Sequence, residues 1–233
     1  MTRRGNSGLR CAGCRLHLSL CACSLIPRLE TRTKFVLFMH HFEDRKSTNS
    51  GRLATRCLAN SEVNLRGRLG EPGASFVPEP GRRSLLLFPH EDARPLTEFV
   101  GSNEPLTLVV PDGTWRQASK VRNRVAGLSE LPCVSLPHGE PSRYRLRFEA
   151  HGTGLSTLEA IARALGVLEG MHLQKALEGV FETVVDRILW SRGTLSSEDV
   201  KGGIPEDAKR HDPRSGKHPP DFDGVIAAPR END

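Results

Sequence analysis

Five short apolar runs constrain the fold of this chain more than any other feature of its 233 residues. Each run is five to seven residues long, and several are apolar without interruption, as expected for strands buried on both faces of a sheet. Helices are predicted between them, over 49–58, 92–100 and 114–125. This alternation predicts an α/β domain with a mostly parallel sheet. The runs are KFVLFMH (34–40), EVNLR (62–66), SLLLF (84–88), LTLVV (106–110) and PCVSL (132–136).

Two longer helices are predicted after the last of these runs. Ser156 and Glu159 have the spacing of a capping box at the start of the first helix, and Gly170 separates it from a second helix that extends to Trp190. From Ser196 onwards, 38 residues contain five prolines and fifteen charges, which predicts a disordered tail. The predicted organisation is therefore an N-terminal segment over 1–32, an α/β domain over 33–195 and a disordered tail over 196–233.

The N-terminal segment contains a cluster of cysteines with the pattern C-x2-C-x6-C-x-C. The chain shows neither a secretory signal nor an apolar run of membrane-spanning length, so we expect a cytoplasmic, reducing compartment and no membrane association. In such a compartment clustered thiols indicate metal ligands more often than disulfides, although a redox or disulfide cluster and a chance cluster remain alternatives. Four thiolates complete a tetrahedral Zn²⁺ site without an open position, so the predicted role is structural. The four ligands are Cys11, Cys14, Cys21 and Cys23.

The net charge favours a polyanionic partner. The formal charge is +5 overall, but residues 1–195 carry +8 and the predicted tail carries −3. A basic body of this kind suits nucleic acid, although such a charge is also found on proteins that are merely soluble. The chain lacks the patterns G-x-x-x-x-G-K-[ST], G-x-G-x-x-G and G-x-S-x-G. Their absence argues against a P-loop NTPase, a typical Rossmann dehydrogenase and an α/β-hydrolase.

Polar residues directly follow the fourth predicted strand, at the end where parallel sheets bind ligands. Thr114 and Gln117 have the spacing of a second capping box, and Asp112 precedes the same helix. These residues therefore fit either a helix N-terminus or a binding site. Trp115, in the first helical turn, fits both a base-stacking position and a core position.

Basic residues also occur in two loops at this end of the sheet. Arg143, Arg145 and Arg147 alternate around Tyr144. That pattern is typical of phosphate binding with base stacking, and equally of an extended segment with one solvated face. Arg45 lies just before a predicted helix N-terminus, a position that suits an anion.

Six motifs occur in order between about Cys11 and Leu195. They are C-x2-C-x6-C-x-C (11–23), RKSTNSGRLA (45–54), LLFPHEDA (86–93), PDGTWRQA (111–118), SRYRLR (142–147) and GLSTLEA (154–160). Together they resemble the DTW-domain family, which is named for an Asp-x-Thr-Trp element, here Asp112, Thr114 and Trp115. The resemblance implies a SPOUT-like α/β fold, a fold class that includes knotted sheets.

The resemblance also implies an enzyme, a tRNA-uridine aminocarboxypropyltransferase. Such enzymes transfer the 3-amino-3-carboxypropyl group of S-adenosylmethionine to N3 of a tRNA uridine and release methylthioadenosine. The implied partners are tRNA and S-adenosylmethionine, with no obligatory protein partner. Two alternatives are a SPOUT-like RNA methyltransferase, which shares the donor, and a noncatalytic zinc-clipped RNA-binding module.

Site residues follow from the resemblance together with the strand-end positions. The implied catalytic residues are Asp112, Thr114 and Trp115, with Asp112 acting either as the base for the N3 proton or as a group that orients the base. The residues expected to hold S-adenosylmethionine, largely through backbone groups, are Leu87, Phe88, Pro89, Glu91, Ala93, Val110, Pro111, Asp112, Gly113, Leu155, Ser156 and Thr157. The residues expected to hold tRNA are Arg45, Asn49, Arg52, Arg116, Lys120, Arg143 and Arg145.

Overall fold

A computed structural model describes residues 9–68, 70, 73–146 and 154–214. The described residues form two compact units. The sheet unit comprises the described residues within 26–143 and 154–181, and the cysteine unit comprises 9–25, 144–146 and 182–214. Arg147 and residues 215–233, which belong to the predicted RNA-binding motif and the predicted tail, lie outside the described residues.

The sheet unit is built on six strands in the order β2-β1-β5-β3-β6-β4, and every neighbouring pair is parallel. This confirms the α/β class and the predicted parallel sheet, while the SPOUT relationship stays a prediction. Five strands match the predicted runs to within two residues. The two-residue strand β4 contains no apolar run from which it could have been predicted. The strands are β1 (Lys34–His40), β2 (Ser61–Arg66), β3 (Arg83–Leu87), β4 (Arg94–Pro95), β5 (Leu106–Asp112) and β6 (Cys133–Ser135).

The helices confirm three of the five helix predictions. The helix predicted over 92–100 is wrong, because that segment forms β4 and the 3-10 turn Leu96–Phe99; Pro95 lacks an N–H and disfavours a helical residue before it. The helix predicted over 114–125 is divided into two short helices. None of the helices in the described ranges combines the length and apolar character needed to cross a membrane. The helices are α1 (His41–Asp44), α2 (Ser50–Cys57), α3 (Trp115–Ala118), α4 (Val121–Arg124), α5 (Thr157–Leu168), α6 (Met171–Ser191) and α7 (Glu206–Lys209).

Strands β1 and β5 lie at the centre of the core and are buried on both faces. On one face, Val36 and Val109 pack in a cluster with Phe76, Val121 and Leu128. Helices α2 and α5 contribute further buried apolar side chains to the unit. The chain passes from β1 to β2 at one side of the sheet and then returns to β3 on the other side of β5, so the strand order reverses around β1, β5 and β3. Ligands of open parallel sheets bind beyond the carboxyl ends of the strands at such a reversal. We call the carboxyl ends of β1, β2, β3 and β5, together with the loops that follow them, the carboxyl edge.

The cysteine unit includes part of the predicted tail in an ordered conformation. Val200 and Ala208 are buried, and the indole Nε1 of Trp190 donates a hydrogen bond to Ser197 Oγ over 2.9 Å. The backbone N–H of Lys201 donates to the buried carboxylate of Asp186. The prediction that disorder begins at Ser196 is therefore wrong for residues 196–214. The prediction rested on the average composition of the tail, which does not reveal that a few apolar residues, such as Val200 and Ala208, are buried.

Truncating Val200 should test whether this segment contributes to stability. Val200 is 5% exposed, so Val200→Ala removes buried methyl groups and should lower the free energy of unfolding by about 1–2 kcal/mol. Val77→Ala is the matched control, because Val77 is 82% exposed and its change should stay within about 0.5 kcal/mol. Both values can be measured by urea denaturation. Equal stabilities for the two variants would show that residues 196–214 do not pack in solution.

Candidate functional site

The carboxylate of Asp112 is the centre of the carboxyl edge. Asp112 is the last residue of β5 and is 3% exposed. Asn49 Nδ2 donates a hydrogen bond to its Oδ2 over 2.7 Å, and Thr157 Oγ1 donates to its Oδ1 over 2.5 Å. Asn49 is the N-cap of α2 and Thr157 is the first residue of α5. One buried anion therefore joins the N-terminal ends of two helices, where negative charge is favourable.

Gly51 permits this close arrangement. A Cβ atom at Gly51 would lie 2.9 Å from Asp112 Cγ and 3.0 Å from Leu37 Cδ2, distances that real Cβ atoms avoid. Helix α2 therefore approaches β5 and β1 as closely as it does only because position 51 has no side chain. The RKSTNSGRLA motif contributes both the Asn49 donor and this glycine.

Thr114 and Trp115 have different environments from Asp112. Thr114 Oγ1 accepts a hydrogen bond from Gln117 N over 3.3 Å, and Gln117 Oε1 accepts one from Thr114 N over 2.9 Å. This confirms the second capping box. The Trp115 ring is half-buried, with its centroid 5.7 Å from that of Phe88 and the two planes at 56°. Trp115 is therefore not a core residue, and part of its ring surface is open to solvent.

The three loops predicted to hold S-adenosylmethionine meet at one place. Strands β3 and β5 pair directly, which brings the loop after Leu87 beside the loop after Val110. The Phe88–Trp115 contact joins these two loops, and the Thr157–Asp112 hydrogen bond joins the second to the start of α5. Within these loops, Pro89 and Glu91 are exposed, Ala93, Gly113 and Leu155 are half-buried, and Val110, Pro111 and Ser156 are buried.

Glu159 has a second role that the capping-box pattern did not reveal. Its carboxylate accepts a hydrogen bond from Ser156 N over 2.9 Å, as the capping box requires. It also accepts from Ser142 Oγ over 2.7 Å and from Arg143 N over 2.6 Å. The start of the SRYRLR motif is thereby fixed to the start of α5, and only the fold shows this connection.

Four of the seven residues predicted to contact tRNA are exposed in the sheet unit. Their guanidinium and ammonium groups are positioned as surface cations, which suits phosphate binding. These residues are Arg45, Arg116, Lys120 and Arg143.

The other three residues predicted to contact tRNA make contacts within the protein. The amide oxygen of Asn49 caps α2 by accepting from Arg52 N, while its amide nitrogen donates to Asp112. Arg52 forms an ion pair with Asp44. Arg145 belongs to the cysteine unit, where it forms an ion pair with the buried carboxylate of Asp186. Tyr144, which the sequence associates with base stacking, is buried.

Arg66 is a further polar residue at the carboxyl edge, and the sequence analysis did not single it out. It is the last residue of β2 and is 7% exposed, and its Nη2 donates to Gln117 O over 2.9 Å. Burial lowers the pKa of Arg66, and Arg124 lowers it further, whereas Asp112 acts in the opposite direction. An arginine at the end of an otherwise unremarkable strand gives no sequence signal that it will be buried.

The four clustered cysteines converge in the cysteine unit. Their sulfur atoms all lie within 4.8 Å of one another, and the closest pairs are 3.4 Å (Cys11–Cys23), 3.5 Å (Cys21–Cys11) and 3.8 Å (Cys14–Cys21). Sulfurs bound tetrahedrally at about 2.3 Å would be about 3.8 Å apart. The backbone N–H of Cys14 lowers the pKa of Cys11 to about 6, whereas burial raises the pKa of Cys23 to about 12. The set is suited to hold a metal ion.

A buried cation accompanies this cluster. Arg187 is 5% exposed, and its Nη1 donates hydrogen bonds to Cys21 O over 2.8 Å and to Leu20 O over 3.2 Å. Four thiolates around a divalent ion carry two net negative charges, so a neighbouring guanidinium offsets part of this charge. Arg187 Nε also donates to Gly203 O, which links residues 196–214 to the cysteine segment.

A family model for the DTW domain matches residues 8–189, which is most of the chain. The chain belongs to the DTW-domain family. The match spans the cysteine cluster and all three loops that meet around Asp112. No solved structure matches the chain significantly.

Curated relatives of this DTW protein carry the name tRNA-uridine aminocarboxypropyltransferase. tRNA-uridine aminocarboxypropyltransferase 2 of Macaca fascicularis is 29% identical over 176 residues, which cover 72% of this chain and 59% of that protein. The Arabidopsis thaliana protein, named A, is 28% identical over 211 residues, which cover 75% of this chain and 79% of that protein. The Drosophila melanogaster protein, number 2, is 27% identical over 168 residues, which cover 69% and 66%. The DTW chain thus spans about three fifths of the macaque relative.

Proposed function

We propose that this DTW protein transfers the 3-amino-3-carboxypropyl group of S-adenosylmethionine to N3 of a tRNA uridine. The names of its relatives support the reaction class and the tRNA substrate. The observation that carries the proposal is the meeting of four family motifs around Asp112 at the carboxyl edge. Parallel sheets bind small ligands at this edge, and exposed cations lie beside it for an RNA.

The reaction makes positioning the main task of the site. Uridine N3 attacks the methylene carbon next to the sulfonium, a new N–C bond forms, and the C–S bond breaks. Its electron pair returns to sulfur in methylthioadenosine, and the proton of N3 is lost to water. A sulfonium carries three electrophilic carbons, so the site must aim this methylene at N3 and turn the methyl group away. The three joined loops, with their backbone groups and the half-buried Trp115, are the parts of the chain that would hold the donor.

Asp112 is proposed to orient the site rather than to take the proton. Both of its oxygens accept hydrogen bonds, from Asn49 and from Thr157, and the residue is buried. A carboxylate engaged in this way fixes the starts of α2 and α5, between which the loops of the site are held. The sequence leaves open whether Asp112 is the base or orients the base; these contacts agree better with an orienting residue, which here positions the starts of α2 and α5.

Isotopic labelling should test the reaction directly. Bulk tRNA is incubated with S-adenosylmethionine labelled either in the methyl group or in the aminocarboxypropyl chain. We expect only the second label to enter tRNA, together with release of methylthioadenosine. Entry of the methyl label would indicate an RNA methyltransferase, and tRNA binding without any transfer would indicate a noncatalytic RNA-binding module.

The Asp112→Asn variant should distinguish the two roles of Asp112. Asparagine can still accept from Asn49 and can donate to the Thr157 hydroxyl, so an orienting residue should leave the single-turnover rate within about threefold of the wild type. Asp112→Ala removes both contacts and should lower stability by about 1–3 kcal/mol, with loss of transfer. Loss of a general base would instead lower the Asp112→Asn rate by on the order of 10², with recovery at high pH. That result would overturn the orienting role.

Zinc is the metal that the four-cysteine cluster fits best, since thiolates in a tetrahedral set select it and no position remains for substrate. Freshly purified protein should contain about one zinc per chain. Cys11→Ser should lose the metal and lower the unfolding temperature, because ion binding contributes to folding. Cys57→Ser is the control: its thiol is buried in the sheet unit and is not one of the four clustered thiols, so the zinc content should persist even if stability falls. Elemental analysis below about 0.2 zinc per wild-type chain would contradict this.

A further inference from the structure

Three aromatic rings stack together directly after β1, at the carboxyl edge. The ring centroids of His40 and His41 are 4.7 Å apart with planes at 30°, and those of His40 and Phe42 are 5.3 Å apart with planes at 28°. The centroids of His41 and Phe42 are 4.0 Å apart. Phe42 is the most exposed member, at 60%. A large exposed ring held in place by two neighbours presents a flat apolar surface that costs little to order when a ligand binds.

Basic residues adjoin this stack on its β2 side, whereas Glu43 and Asp44 follow it along the chain. Arg66 is the register partner of His40, and Gly67 follows it in a left-handed conformation with φ +84°. A Cβ at Gly67 would lie 2.8 Å from His40 Nε2, so the backbone after β2 passes close to the His40 ring. Arg66 and Arg68 flank this contact. The Nε–H of buried Arg66 has no acceptor in the described part of the chain, so the hydrogen bonding of this guanidinium is incomplete.

We propose that the His40–His41–Phe42 stack and Arg66 form a nucleotide subsite, in which one base of the RNA substrate stacks on Phe42 and a phosphate oxygen accepts from Arg66. The proposal rests on the proposed function, because it takes tRNA as the substrate. The subsite lies on the β2 side of Asp112, since Met39, which precedes His40, is the register partner of Asp112. The loops proposed to hold S-adenosylmethionine lie on the β3 side, so this subsite holds a nucleotide next to the target uridine.

A nucleotide fits this surface better than a metal ion or the donor. In the described ranges His40 and His41 do not group with a third metal-ligating side chain. His40 Nδ1 accepts a hydrogen bond from Phe42 N, and burial, Arg66 and His41 lower the pKa of His40, all of which favour the neutral imidazole. Stacking on an aromatic ring next to basic groups is how proteins hold single-stranded RNA.

Phe42 variants test the base-stacking half of the subsite. tRNA binding is measured without S-adenosylmethionine over a series of salt concentrations. Phe42→Ala should weaken binding by roughly tenfold, with no change in the salt slope, because no phosphate contact is removed. Phe42→Trp should bind at least as well as the wild type. Val100→Ala is the matched control: Val100 is 53% exposed and lies before β5, at the opposite edge of the sheet, so its change should leave tRNA binding unaltered.

The Arg66→Gln variant tests the phosphate-binding half. Loss of one phosphate contact should weaken tRNA binding and reduce the log–log salt slope by about one. Thermal unfolding shows whether the variant keeps its fold. Phe42 is exposed, so the Phe42 variants decide the proposal if Arg66→Gln does not fold.

Several outcomes would overturn the subsite. Binding by Phe42→Ala within twofold of the wild type would do so, as would a wild-type chain that does not bind tRNA. Weakened binding of S-adenosylmethionine in place of tRNA would assign the stack to the donor instead. If Phe42→Ala transfers the group with an unchanged KM for tRNA, the subsite is wrong and the proposed function stands. If both variants show the expected binding changes but no protein transfers the group, only the proposed reaction is wrong.

Discussion

The carboxyl edge of this protein depends on one buried anion. A carboxylate is costly to bury unless donors satisfy its oxygens, and at Asp112 the donors are the N-cap of α2 and the first residue of α5. The two hydrogen bonds that offset the cost of burying the Asp112 carboxylate therefore also fix where both helices begin. Gly51 lets α2 come close enough for this. The loops that carry the family motifs are arranged around this point, so their geometry follows from satisfying one charge.

The parallel sheet then separates two kinds of surface along this edge. On the β3 side of Asp112, the half-buried rings of Phe88 and Trp115 contact each other and join two loops. On the β2 side, a stack of aromatic rings adjoins Arg66 and Arg68. Half-buried rings beyond the ends of parallel strands suit a small donor, and an aromatic surface next to arginines suits RNA. The transfer proposed here needs both surfaces next to one another.

The cysteine unit is organised by a second buried charge of opposite sign. Arg187 donates to carbonyls of the cysteine segment and, through Nε, to Gly203. It thus links residues 196–214 to the cysteine segment, and it would offset the negative charge of the four thiolates if the cluster holds a metal ion. The composition of this segment resembles that of a disordered tail, yet three contacts hold it in place. The side chains of Val200 and Ala208 are buried, and Arg187 donates a hydrogen bond to the backbone at Gly203 between them.

The sequence by itself determined the elements whose signals are local. Apolar runs predicted five of the six strands, capping boxes located the starts of α3 and α5, and cysteine spacing predicted the cluster. Only the tertiary structure decided which charges are buried and what they contact. Arg66 and Arg145 carry the same side chain, yet Arg66 is buried at the end of β2 and Arg145 pairs with Asp186, 41 residues away. Such pairings depend on which distant segments the fold brings together, and no pattern of neighbouring residues encodes them.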